Sequence, residues 1–172
     1  KHTSRIKQTL AIMLKQLSED CPWAIDDNCA QFLDWAADLH EIGIDIAHSQ
    51  YHKHSAYIIE NGDLAGFSNQ DQILLASIIR SHRRKFSQAL FNDLPSPWNA
   101  YAPYLTLVLR LAVLLHRNRH EHELPGFKIA IIKSKIFLQF PSAWLTQSPL
   151  THADLIQESD YIKSAGFKLE FA

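Results

Sequence analysis

The side chains best suited to chemistry fall in two short stretches. The first holds His40-Glu41, then His48, His52, Lys53 and His54. The second is the run Arg80-Ser81-His82-Arg83-Arg84-Lys85. Imidazoles and carboxylates are sound ligands for divalent metals, whereas guanidinium forks and lysine ammoniums are what phosphate meets. Spacing separates the two chemistries. The zinc-protease pattern His-Glu-x-x-His fails because position 44 is Ile. Neighbours on a helix point about 100° apart, so His40 and Glu41 reach one ion only near a helix end. A single histidine is more often a hydrogen-bonded structural residue than a ligand. The arginine-rich run is the stronger signal, and its chemistry is anion binding.

Charge follows the same division. Residues 1–77 hold five Lys/Arg against eleven Asp/Glu, whereas residues 78–120 hold seven Lys/Arg against the single acid Asp93. Arg110, Arg117 and Arg119 join the run at 80–85 in that cationic segment, with His116 and His120. Such a segment suits a polyanion or phosphate. The structural alternative is a solvated basic face, a cationic helix end favoured by its dipole, or a match to the acidic first half. No aromatic residue interrupts Arg80–Lys85, which argues against a base-stacking nucleic-acid surface. His82 is expected to gain charge as pH falls through about 6.5 and so to tighten anion binding in mild acid.

The elements that must position these residues read as mainly α, with a small C-terminal α/β unit. Ile6, Leu10, Met13, Leu14 and Leu17 form one helical stripe. A second runs from Cys29 to Leu39 and is expected to end at Gly43 as its C′ residue. A short helix is expected over 55–60, closed by Asn61-Gly62-Asp63. Ser68 with Asp71 predicts an N-cap for a helix leading to the basic run. Pro95, Pro97 and Pro103 predict a loop before a long apolar helix over 104–119. Beyond Pro125-Gly126 the period changes to alternation. Strands are expected over 127–131, 135–140 and 167–171, with a helix over 150–162. The division expected is a helical domain over 1–122 and an α/β domain over 123–172.

Composition excludes several classes. At 172 residues with 47% hydrophobic and 20% charged residues, the chain suits one globular domain with a small appendage. No uninterrupted apolar run approaches the roughly 18 residues of a membrane span. The start, without Met or an apolar leader, is expected to belong to a longer cytoplasmic protein, one that could also sit peripherally at the inner membrane. Cys21 and Cys29 fit no zinc spacing and are expected to be buried thiols.

Leu39-His40-Glu41-Ile42-Gly43 resembles the HD phosphohydrolase superfamily, whose motif is His followed by Asp. The stretch from His48 to Ile59 is closely similar to the C-terminal region of the exopolyphosphatase and guanosine pentaphosphate phosphatase family. Asp63-Leu64-Ala65-Gly66-Phe67, the run Ser81–Lys85 and Leu109–Leu115 with Arg117 and Arg119 extend the likeness. This resemblance implies an HD-like bundle that guides inorganic polyphosphate or guanosine pentaphosphate and supports a homodimer. Catalysis would lie in N-terminal actin-like domains, with Mg²⁺ for the parent enzyme and no cofactor or catalytic residue here. The phosphate-binding candidates are His52, Lys53, His54, Arg80, His82, Arg83, Arg84, Lys85, Arg110, Arg117 and Arg119. His40 and Glu41 mark a vestigial metal position. Glu41 replaces the Asp, Val113 fills the place of the late metal-binding Asp, and only His2 precedes His40. Nucleic acid is not an expected partner. A self-sufficient HD-type phosphohydrolase is the alternative.

Overall fold

The computed structural model describes residues 2–117 and 123–172. The first stripe forms α1 (His2–Leu17), burying Ile6, Leu10, Met13 and Leu17. Helix α2 (Asp27–Leu39) starts at Asp26, whose carboxylate accepts from Asn28 N at 2.8 Å. It ends before the expected position, with His40 as its C-cap.

Gly43 has a different task from the one its place after a helix predicts. It lies in a 3₁₀ turn, Ile42–Asp45, pressed against α3 (Tyr51–Asn61). An added Cβ would stand 2.3 Å from Ser55 N. Gly43 N donates to Ser55 Oγ at 2.8 Å, and that hydroxyl donates to His40 O at 3.0 Å. Close backbone approach therefore demands the glycine, and the contact holds His40 against α3. Gly43→Ala is expected to cost about 2 kcal/mol or more, because overpacked backbone cannot relax cheaply. Denaturant melts check this; an unchanged midpoint would contradict it.

Helix α3 begins at Tyr51, four residues before the expected 55, after Gln50 turns through left-handed backbone at φ 57°. Helix α4 (Asn69–Arg80) carries the predicted cap as a capping box between Ser68 and Asp71. Helix α5 (Trp98–Leu115) takes in Pro103, which was expected in the preceding loop. Pro103 forfeits one ladder bond, but its own burial and that of Ala102 and Leu105 offset the loss. The helix ends at Leu115 with His116 as its C-cap, and positions 118–119 of the expected span lie outside the described residues. By length and mean hydropathy (1.3) α5 passes for a membrane span, yet 72% of it is buried in the bundle. It is the core helix.

Strands β1 (Lys128–Ile132) and β2 (Lys135–Gln139) pair antiparallel, and α6 (Pro149–Lys163) returns the chain to β3 (Lys168–Phe171), parallel to β2. Ile129, Ile131, Ile136, Leu138 and Leu169 join Leu155 and Ile162 of α6 in a core continuous with that of the helices. Gln16 of α1 clamps β1 by donating to Phe127 O at 2.9 Å and accepting from Ile129 N at 2.8 Å.

Candidate phosphate-binding cleft

Where α4 ends, the chain turns through His82–Lys85, with Arg84 in left-handed backbone at φ 62°. Arg110, on α5 and only 2% exposed, holds this turn from within. Its Nη1 donates to Ser81 O at 2.7 Å and its Nη2 to Arg84 O at 2.6 Å. Its Nε and Nη2 also grip the Glu158 carboxylate of α6 at 2.7 and 2.8 Å. The Phe86 ring lies 5.0 Å from the same guanidinium. Arg110 is thus occupied by protein acceptors.

Arg83, Arg84 and Arg117 line a cleft of about 210 Å³ between this turn and α6. Asp154, Gln157 and Tyr161 of α6 also line it. Counting Arg110 and Glu158, four guanidiniums meet two carboxylates, so the cleft is cationic. The Arg83 guanidinium sits 4.2 Å above the Tyr51 ring, and its buried Nη1 has no hydrogen-bond partner among the described residues. Burial lowers the Arg83 pKa from its ordinary value, without threatening its charge. Arg117 Nη1 stands 3.4 Å from Asp154 Oδ1. Arg110 and Arg117 of the basic segment thus pair with carboxylates of α6, Glu158 and Asp154. In the acidic first half, Lys7 engages Asp34 at 3.2 Å and Asp38 at 2.9 Å.

Behind the cleft three histidines meet. His40, His52 and His82 are 1%, 3% and 3% exposed. The His82 ring centroid lies 5.3 Å from that of His40 and 6.3 Å from that of His52. His40 Nδ1 donates to Ala37 O at 2.7 Å and His82 Nδ1 donates to Ile79 O. The Nε2 atoms of these two rings and His52 Nδ1 lack hydrogen-bond partners among the described residues. Glu41 Oε1 lies 3.6 Å from His40 Nε2. No group of three or more His, Cys, Asp or Glu stands where it could hold a metal ion among the described residues, and Val113 is buried in the core.

His82 does not charge near pH 6.5. Burial, then the neighbouring His40, pushes its pKa well below the ordinary value, which removes the expected gain in anion binding in mild acid. His52 is pushed down to about 4 by burial and by the positive field of Arg83 and Lys53.

Of the other predicted residues, Lys53, Arg80 and Lys85 are exposed outside the cleft, and His54 packs its Cβ toward Gly43. Arg119 lies outside the described residues. Cys21 and Cys29 are buried free thiols, and burial pushes Cys29 up to about 12. The α6 residues were missed. Asp154, Gln157, Glu158 and Tyr161 recur at helical spacing, a polar stripe whose partner only the fold reveals.

Residues 1–159 match the family described as Ppx/GppA phosphatase, domain III. The chain is 34% identical over 170 residues to a guanosine-5'-triphosphate,3'-diphosphate pyrophosphatase of Pseudoalteromonas translucida, covering 98% of this chain and 34% of that protein. It is 32% identical over 168 residues to the protein of the same name from Photobacterium profundum, covering 98% and 33%. The chain thus spans about a third of the length of the curated relatives it matches. The mainly α fold with its small C-terminal α/β unit agrees with this match, and the chain belongs to the Ppx/GppA phosphatase family as its domain III.

Proposed function

We propose that this chain is the polyphosphate-guiding region of an exopolyphosphatase-like phosphoanhydride hydrolase. Its cleft takes a stretch of phosphoanhydride chain, while bond cleavage and Mg²⁺ belong to actin-like domains of the parent protein. The observation that carries this reading is the convergence of Arg83, Arg84 and Arg117 on one cleft, with a buried Arg83 Nη1 unpartnered among the described residues. A guanidinium so placed supplies the charge-assisted donors that phosphate oxygens accept. A second reading, guanosine pentaphosphate as substrate, is favoured by the names of the two relatives. A 5'-triphosphate presents the same chain of anhydride-linked phosphates. Homodimerisation carried by this region belongs to the proposal, and light scattering tests it.

Two assays test the reading. The purified chain, given polyphosphate and Mg²⁺, is expected to release no phosphate above a buffer control; release would favour the self-sufficient HD-type phosphohydrolase. Arg83→Ala is expected to weaken tripolyphosphate binding about ten- to a hundredfold, the cost of one charged contact, with little change in melting. Lost stability with unchanged binding would make the basic run a helix end and nothing more.

A further inference from the structure

Two carboxylates one helical turn apart, Asp154 and Glu158, enter the same cationic cleft from α6. Simple electrostatics gives both the same effect, since a negative charge repels a polyanion. Their contacts differ. Asp154 stands 3.4 Å from the half-exposed Arg117, a pair that costs and contributes little. Glu158 is 6% exposed and holds two of the Arg110 donors, while the remaining Arg110 contacts reach Ser81 O and Arg84 O. Those two carbonyls bracket His82 and Arg83. The backbone between them includes the left-handed Arg84, so the direction of the Arg83 and Arg84 side chains depends on this anchoring.

From this geometry we infer that Glu158 is a positioning residue for the phosphate cleft, whereas Asp154 is a competitor for one of its cations. Glu158 neutralises and orients Arg110; Arg110 fixes the turn; the turn aims Arg83 and Arg84 across the cleft. The inference rests on the proposed phosphate-binding role. It also makes α6, from the C-terminal α/β unit, a wall of the anion site and the source of its alignment.

Opposite signs provide the test. Tripolyphosphate is titrated into the wild-type chain, Arg83→Ala, Asp154→Asn and Glu158→Gln at fixed pH and salt. Asp154→Asn is expected to bind about two- to threefold tighter, having released Arg117. Glu158→Gln is expected to bind about tenfold weaker although it too removes a negative charge. A merely electrostatic role would tighten both. Because Glu158→Gln could fail to fold, a charge-neutral replacement, Arg110→Met with Glu158→Leu, serves beside it. Buried ion pairs tolerate such exchange for apolar residues, but the turn would lose both carbonyl anchors, so weaker binding is again expected. Wild-type affinity in either folded variant overturns the positioning role while Arg83→Ala still weakens binding. A wild-type chain that binds no tripolyphosphate overturns the phosphate-binding reading itself, and this inference with it.

Discussion

Lowering the pH from 7.5 to 5 is expected to destabilise this domain. His52 and His116 are each held down to about 4 mainly by burial, and His82 lies well below its ordinary value for the same reason. Arg83, Lys53, Arg84 and Arg110 oppose charge on His52; His40, His52 and Arg110 oppose it on His82; His2 and Arg5 oppose it on His116. In the unfolded chain each imidazole titrates near 6.5. The unfolded state thus binds more protons in this window, and stability falls as pH drops below 6.5. One proton taken up on unfolding gives a slope of at most about 1.4 kcal/mol per pH unit, and less where solvent screens the ring. Urea melts between pH 7.5 and 5 measure it. His52→Gln should flatten the curve by one proton; a flat wild-type curve would mean that these rings reach water.

Arg110→Ala is expected to cost about 3–5 kcal/mol, since it strands a buried Glu158 carboxylate. The loss also strips Ser81 O and Arg84 O of their donors. Arg110→Met with Glu158→Leu should recover most of that stability, because no buried charge remains unpaired. Thermal melts of the two variants side by side settle the point. Equal losses would show that the hydrogen bonds to the turn, not the stranded charge, carry the cost.

Local chemistry was legible where it was written in neighbouring residues. Ser68 and Asp71 announced the start of α4 because a capping box needs only four residues of chain. The alternation of Ile129 and Ile131, and of Ile136 and Leu138, announced the first two strands for the same reason. Gly43 and Pro103 were misplaced because their surroundings are tertiary. Gly43 answers to Ser55 across a close helix contact, and Pro103 is tolerated because α5 is buried around it. Arg110 was legible as a cation but not as a clamp, since Glu158 lies far along the chain. His82 looked like a titratable donor, and its silence near neutral pH comes from burial among His40, His52 and Tyr51.

The most direct test of a phosphate-binding cleft is isothermal titration of tripolyphosphate into the chain at neutral pH, first at low salt and then at high salt. Saturable binding that weakens steeply with salt is expected, because ions held by a polyanion are released on binding. His82→Gln is expected to leave the pH dependence of binding unchanged, since burial holds the His82 pKa well below its ordinary value. Absence of saturable binding at low salt would contradict the claim that Arg83, Arg84 and Arg117 form an anion site.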